Sequence, residues 1–523
     1  MNNIKSIIIH PFLFVFFPII YTYSNNLQEL IPSDLLQPSL YIIVFLSIIL
    51  FVSKLIFKDW LKVGLITSLV IGLVFSYGYI YQAIAGFTVG GIVLGRHVFL
   101  IIPYVIALIA GSYYIFKAKK RFENITKILN VVAITLISMS IINIGIYMIN
   151  NNDIEIISHT DTDMNSFKEE DVPTKKYNKD MLSLIGEPDY YPDVYYVVFD
   201  GYGGTDSLKK DLNYDNTKFV QSLEERGFFV AKHPHSNYPA TFLSIPSTFN
   251  MKYLNYLSDI LGVESKDQIT PMKLMNNSTS MQILKSKGYK TVSFLTSSFE
   301  INTDVKLCPG DKILLPNKLT QSIGKISIFV YFINWQSTEY LRDQQLCFFS
   351  ELPEIHKSLD EPVFVIGHII LPHPPNMFGP NGEHVIPRDT WTVWGDERDK
   401  RSYIDTLQYG NLRALEFIDK ILNETKQPPI IIIASDHGTD YGFDWNDPDD
   451  VMLKQRYNNF IAIYTPDGKD MLYDTMTPVN TFRIIFNANF NGNYTLLNDS
   501  SYWSNYDKPY VITDITENIK ENN

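Results

Sequence analysis

The sequence predicts a chain of two unlike parts: a membrane bundle of five N-terminal helices, then an α/β domain with a mostly parallel sheet. Three observations predict it. Five long apolar runs fill the first 150 residues. Charge changes sign near that point: residues 1–150 hold ten Lys/Arg and four acids, a net +6, so the remainder of a chain of net charge −12 carries −18. Beyond it, short β-rich runs alternate with helical patterns.

The apolar runs are Ile4–Tyr21, Ser39–Phe57, Val63–Tyr81, His97–Phe116 and Ile128–Ile149. Each is near the ~20 residues a helix needs to cross ~30 Å of hydrocarbon. None contains an acid, and Lys5 and Lys54 sit near run ends, where their amines reach water. A cleaved signal peptide explains one such run, not five. The basic loops set the orientation. Lys58 and Lys62 separate spans two and three, and Lys117, Lys119, Lys120 and Arg121 separate spans four and five. The loop Asn25–Pro38 has no Lys or Arg, and Gln82–Arg96 has only Arg96. Basic loops face the cytoplasm, so five crossings place everything after about residue 150 outside it. His10 lies in the first span beside Pro11, where a satisfied or interface-facing imidazole is expected. Residues 151–192 are polar and aperiodic and read as a linker, leaving 193–523 as the outer domain.

Composition excludes some functions. A net charge of −12 excludes a general nucleic-acid binder, which needs a basic face. Two cysteines are too few for a disulfide scaffold or a Cys-rich zinc module. Cys308 and Cys347 lie on the oxidising side of the expected topology, and a disulfide and two buried thiols are both compatible with that.

In the outer domain the β-rich runs are Val194–Phe199, Phe228–Ala231, Lys290–Leu295, Pro362–Ile370, Pro429–Ala434 and Phe460–Tyr464. Several are apolar on both faces, the mark of buried parallel strands. Helical patterns occupy Thr217–Arg226 and Arg401–Leu422. In parallel sheets, chemistry gathers beyond the carboxyl ends of strands, so the residues just past each strand are the first candidates for a site.

After the first strand comes Asp200-Gly201-Tyr202-Gly203. After Pro429–Ala434 comes Ser435-Asp436-His437-Gly438. Either is an ordinary turn when taken alone. Together, two strand-end carboxylates and an imidazole make a divalent-metal site. Pro239 and Thr241 read as the opening of a helix, where a hydroxyl is a plain N-cap or, beside a metal, a nucleophile. His368 and His373 close a strand and open a proline-fixed loop. They read as ligands of a second metal, holders of a phosphate or proton donors to a leaving group; the alternative is one core and one solvated histidine. Arg483 is structural or substrate-facing.

In their order and spacing, Asp193–Gly203, the segment around Thr241, His368 with His373, and Ser435–Gly438 resemble the alkaline phosphatase superfamily. The sulfatase-like membrane enzymes within it, such as lipoteichoic acid synthase and the phosphoethanolamine transferases, are the nearer likeness. The resemblance covers nearly the whole chain. It implies that Asp200, Thr241, Asp436 and His437 bind one divalent metal, zinc, manganese or magnesium. It implies that Thr241 carries a covalent phospho-intermediate, with His368 or His373 matching the family's substrate-binding or second-site histidines. A membrane lipid would be the donor and a surface glycan or lipid the acceptor. The sequence departs from the sulfatase pattern at one place: Ser244-Ile-Pro246-Ser247-Thr248 has threonine where the formylglycine motif needs arginine. Phosphoryl-type transfer is therefore expected ahead of sulfate ester hydrolysis; the alternatives are a hydrolase that passes the group to water and an inactive glycan-binding domain.

Overall fold

The computed structural model describes residues 7–27, 30–84, 88–89, 92–93, 97–118, 122–150, 173–294, 301–308, 317–387 and 395–520. The chain forms two compact units. One comprises residues 1–156 with 313–337; the other comprises 157–312 with 338–523.

Among the described residues, the N-terminal part of the first unit holds five α-helices: α1 (His10–Ser24), α2 (Leu36–Ile56), α3 (Trp60–Ile84), α4 (His97–Lys117) and α5 (Glu123–Asn150). Four stretches, Pro32–Ile56, Trp60–Ile84, His97–Lys117 and Glu123–Ile149, are long and apolar enough to cross a membrane. The first helix has 15 residues and starts later than its apolar run, because Pro11 occupies its first turn, where a missing N–H costs nothing. Exposed Ile, Val, Leu and Phe side chains cover α2, α4 and α5, the surface expected where lipid is the solvent. His10 is wholly buried in the bundle, not at an interface. Its Nδ1 pairs with Ser68 Oγ at 2.7 Å, and its backbone N–H donates to Asn130 Oδ1 at 3.0 Å. Of the basic residues that set the expected orientation, Lys5, Arg96, Lys119, Lys120 and Arg121 lie outside the described residues.

The second unit is built on a seven-stranded sheet. Its strands are β1 (Val194–Phe199), β2 (Phe229–Val230), β3 (Lys290–Phe294), β4 (Val305–Leu307), β5 (Val363–Ile369), β6 (Ile430–Ala434) and β7 (Ile461–Tyr464). The order is β2-β7-β6-β1-β5-β3-β4. The pairs among β6, β1, β5, β3 and β4 are parallel, and β7 and β2 add an antiparallel edge.

The sequence explains why both faces are covered. Along β1, Tyr195, Val197 and Phe199 join one apolar cluster while Val194, Tyr196 and Val198 join the other. Ile431 and Ile433 of β6 join the first; Ile430, Ile432 and Ala434 join the second. Successive side chains point to opposite faces, so an unbroken apolar run means burial on both sides. The long helix Glu397–Glu424 covers the first face through Tyr403, Leu407, Ala414, Phe417, Ile418 and Ile421.

Two features depart from the expected organisation. Only part of the expected linker can serve as one. Residues 151–172 lie outside the described residues, but Pro173–Leu182 is helical, and Met181, Leu184 and Ile185 pack into the second cluster. Tyr177 Oη donates to Met251 O at 2.9 Å. Its few apolar side chains, spaced along one short helix, sit among too many polar ones to show in the sequence. Residues 313–337 leave the second unit and belong to the first. A Cys308–Cys347 disulfide, Cα–Cα 5.8 Å, closes the base of that excursion.

A crosslink closing a loop of 39 residues stabilises by about 4 kcal/mol in the chain-entropy model. The Cys308→Ser/Cys347→Ser chain should therefore melt at a lower temperature than the parent. The unreduced parent should take up no thiol alkylating agent by intact-mass analysis.

Candidate active site

The register of the three central strands assembles the site. Val198 of β1 pairs with His368 on one side and Ala434 on the other, and Phe199 pairs with Ile369. The residues just past β1 and β6 are therefore neighbours: Asp200 and the turn Ser435–Gly438. Asp200 N donates to Ile369 O at 3.0 Å, and His373 N donates to Asp200 O at 3.1 Å. The histidine loop is thus tied to the first carboxylate by backbone alone.

Gly201 turns the chain away from β1 with φ +67, a left-handed conformation that costs glycine least. This aims its N–H at Asp436 Oδ1, 3.1 Å away, and His437 N donates to the same oxygen at 3.1 Å. Asp436 is thereby fixed by two backbone donors. Its other oxygen, Oδ2, accepts from Thr241 Oγ1 at 2.7 Å. Thr241 is the first residue of the helix Thr241–Asn250 and follows an N-cap, Ala240, that offers no side-chain cap. The hydroxyl is therefore not spent on capping its own helix; it faces the carboxylates.

His437 is oriented by its Nδ1, which lies 2.9 Å from Gly438 O. A carbonyl only accepts, so Nδ1 carries the proton and Nε2 presents its lone pair. That lone pair points into the cluster: Nε2 lies 3.3 Å from Asp436 Oδ2, 3.4 Å from Thr241 Oγ1 and 3.6 Å from Asp200 Oδ1. Burial lowers the His437 pKa and the Arg456 charge lowers it further, outweighing the nearby carboxylates, so the ring stays neutral. For Asp200, burial alone would raise the pKa, but His373, His368 and His437 hold it well below the usual carboxylate range. For His373, burial acts to lower the pKa, yet Asp200 and Asp440 win and raise it. His373 Nδ1 lies 2.6 Å from Pro374 O, which fixes this ring too. His368 Nε2 sits 3.3 Å from Asp200 Oδ2.

The donors suit a divalent cation. One ligand atom each from Asp200, Asp436 and His437 lie within 4.8 Å of one another, all buried. Ligands held ~2.0–2.2 Å from one tetrahedral ion sit about 3.3–3.6 Å apart, which is the spacing around His437 Nε2. Asp200 Oδ1 is buried without a hydrogen-bond partner. An ionised, orphaned carboxylate oxygen is costly unless a cation meets it. Two carboxylates, a neutral imidazole and a hydroxyl are a donor set for a divalent cation.

All six residues singled out in the sequence therefore converge: Asp200, Thr241, Asp436 and His437 in the cluster, His368 and His373 against Asp200. Ser244, the residue that the formylglycine pattern would modify, is not presented to substrate. It is 1% exposed, and its Oγ donates to Asp436 O at 2.6 Å. Arg483 is structural: it binds Met251 O through Nε at 3.0 Å and reaches Tyr177 Oη at 2.9 Å.

Sequence reasoning missed Arg456. Its guanidinium is buried; Nε donates to Pro239 O at 2.8 Å, and a second nitrogen lies 3.4 Å from Gly438 O. One side chain thus ties the turn of His437 to the lead-in of Thr241. No motif marks it, because an arginine in Lys454-Gln-Arg456-Tyr457 looks like any helix-surface cation. The neighbouring aromatics Trp445, Trp503 and Tyr506 were missed for the same reason: they come from two distant segments. Trp445 and Trp503 stack at 5.8 Å, and Arg456 lies 4.8 Å over Trp445.

No protein-family model matches the chain, and no curated protein does. Solved structures are similar to it. The C-terminal periplasmic domain of EcEptC from Escherichia coli is 13% identical, with 63% of this chain and 94% of that chain covered and a TM-score of 0.40. The corresponding domain of phosphoethanolamine transferase EptC from Campylobacter jejuni is 13% identical, with 59% and 92% covered, at 0.37. The integral membrane lipooligosaccharide phosphoethanolamine transferase A (EptA) from Neisseria meningitidis is 14% identical, with 87% and 88% covered, at 0.30.

Gly438 tests that geometry. A Cβ there would lie 2.3 Å from Gln455 O and 2.5 Å from Asn458 O, both backbone atoms that cannot swing away. Gly438→Ala should cost about 2 kcal/mol or more by chemical denaturation and should displace the His437 turn.

Proposed function

We propose that this chain is a membrane-anchored, metal-dependent enzyme of the alkaline phosphatase superfamily. It transfers a phospho-substituent, of phosphoethanolamine or phosphoglycerol type, from a membrane lipid donor to a surface glycan or lipid. Its helical bundle lies in the cytoplasmic membrane, and the α/β unit, residues 193–523 by the sequence division, works on the extracytoplasmic side. The observation that carries this reading is the position of Thr241 Oγ1, 2.7 Å from Asp436 Oδ2 and 3.4 Å from His437 Nε2 beside the orphaned Asp200 oxygen.

Asp200, Thr241, Asp436 and His437 would hold the divalent ion. Bound there, it would supply Lewis acidity, favouring the threonine alkoxide and neutralising charge on the phosphoryl oxygens. The residues do the rest. Asp436 holds the Thr241 hydroxyl by its proton and leaves its lone pairs facing the substrate. Thr241 Oγ1 passes its proton to Asp436 Oδ2 as it bonds to phosphorus, and the bond from phosphorus to the lipid oxygen breaks. His373, with Nδ1 anchored on Pro374 O and its pKa raised by Asp200, supplies a proton to the departing lipid alcohol. His368 and His373 offset charge on the phosphoryl oxygens. An acceptor hydroxyl then gives its proton to the now neutral His373 and attacks the same phosphorus, and Thr241 leaves as its hydroxyl with the proton returned by Asp436.

Formylglycine-dependent sulfate hydrolysis has no support in the position of Ser244. A purely glycan-binding role would leave the converged carboxylates and imidazole without a purpose.

Thr241→Ala should cut turnover of a labelled phospholipid donor by about 10⁴-fold or more while the protein stays folded. A variant with full activity would remove the nucleophile assignment. Donor-treated wild-type protein should yield a tryptic peptide whose added mass maps to Thr241.

Metal removal gives a second measurement. If the ion binds the folded state only, an ion at 100 times its Kd stabilises by about 2.7 kcal/mol. Chelation should therefore lower the melting temperature and abolish transfer. Asp200→Asn should lose both the bound metal, read by elemental analysis, and the response of Tm to chelator.

A further inference from the structure

Residues 317–337 connect two elements of the α/β unit, yet they pack within the helical unit. Their contacts describe a hairpin that descends beside α2 and α3. At its start Asn317 binds polar groups at the N-terminal end of α2: its N–H donates to Gln37 Oε1 at 2.6 Å and its Nδ2 to Asp34 O at 2.8 Å. The same side chain caps the helix Lys318–Lys325 by accepting from Thr320 N at 2.9 Å. On that helix Leu319 and Ile323 are buried among Val15, Ile19, Ile42, Leu46 and Ile71.

The segment then meets α3 backbone to backbone. Gly78 N donates to Ile326 O at 3.1 Å, and Ile328 N donates to Val74 O at 2.9 Å. Gly78 permits this approach, since a Cβ there would sit 2.2 Å from Lys325 O. Phe329 reaches Phe45 of α2, ring centroids 6.4 Å apart. The chain turns back as the helix Val330–Glu351 begins; Gly324 lets the two arms cross, its Cβ position being 2.5 Å from Ile333 Cγ1.

Helix rise converts these contacts into depth. Val74 precedes the end of α3 at Ile84 by ten residues, and Phe45 follows the start of α2 at Leu36 by nine. At ~1.5 Å per residue these are about 15 and 13 Å from ends that share one side of the bundle, close to half of a ~30 Å hydrocarbon core. The segment suits that place. Between residues 319 and 337 the single charged side chain is Lys325. Its non-helical backbone groups at 326 and 328 are bonded to α3, as hydrocarbon requires. Phe329, which meets Phe45, and Phe332 are 49% and 52% exposed, and Ile43, Val44 and Ile48 of α2 are exposed as well.

We propose that residues 317–337 form a re-entrant membrane segment whose exposed face, Phe329 and Phe332, binds the acyl chains of outer-leaflet lipids. The α/β unit is then held to the membrane by two connections, the chain after α5 and this hairpin. The proposal rests on the reading of the bundle as membrane-embedded and is independent of the chemistry assigned to Thr241.

The test uses the full chain in phosphatidylcholine vesicles with the native disulfide intact. Single cysteines replace Phe329, Phe332, Ile141 on the outward face of α5, or Val263 on the α/β unit, and a hydrophilic maleimide is supplied on both sides of the membrane. The expected result is labelling at Val263→Cys and loss of labelling at Phe329→Cys, Phe332→Cys and Ile141→Cys. A fluorophore placed at 332 before reconstitution should be quenched by lipids brominated on their acyl chains. Labelling at 329 and 332 with Ile141→Cys still protected would overturn the re-entrant segment alone. Labelling at all four positions would overturn the membrane reading of the bundle and the proposal with it. If either phenylalanine variant fails to fold, the other carries the measurement.

Discussion

The site depends on one geometric constraint: β1 lies between β5 and β6, parallel to both and in register with both. That register brings the first residue after β1 beside the turn after β6. The hydrogen bond from Gly201 N to Asp436 Oδ1 then locks the two turns at a fixed offset. The other contacts of the cluster are built on that lock. His437 is aimed by a carbonyl of its own turn, Thr241 by Asp436, and His373 by the carbonyl of Asp200. Little in this arrangement relies on flexible side chains, which suits a site that keeps two carboxylates close together.

The electrostatics divide the three site histidines by environment. His437 is buried beside Arg456 and is held neutral, the form that offers a lone pair. His373 faces Asp200 and Asp440 and gains affinity for a proton. His368 closes β5 with Nε2 against Asp200. One imidazole is thus held neutral by its surroundings and another is made more basic by its surroundings. The buried Arg456 contributes to that division. It lowers the proton affinity of His437 and His373 while it binds the carbonyls of Gly438 and Pro239, so the same side chain tunes the charges and fixes the turns.

The two units also illustrate two solvents acting on one chain. In the α/β unit, apolar residues alternate between two internal clusters, and exposed large apolar side chains are few. In the bundle they cover the outside. The excursion of residues 313–337 makes the second kind of surface from a segment embedded in the sequence of the first. The disulfide at its base restricts the freedom of that excursion without touching the cluster of Asp200, Asp436 and His437.

Much of this was legible in the sequence, for identifiable physical reasons. Apolar run length marked the helices, since hydrocarbon thickness fixes it. Uninterrupted runs such as Ile430–Ala434 marked buried strands, since a strand covered on both faces has no polar side. Asp200, Asp436, His437, Thr241, His368 and His373 stood out because each adjoins a strand end or opens a helix. The structure alone supplied the features that depend on long-range contact. Arg456 is drawn into the site by carbonyls more than two hundred residues away at one end and eighteen at the other. The docking of Pro173–Leu182 and the descent of residues 317–337 have no local signature either, because a few apolar side chains become an interface only when a partner surface is present. The sequence by itself determined that the N-terminal helices and the α/β domain face different solvents and which residues stand at the strand ends. Only tertiary structure decided which ends meet, because strand order and register are set by packing between segments that are distant in the chain.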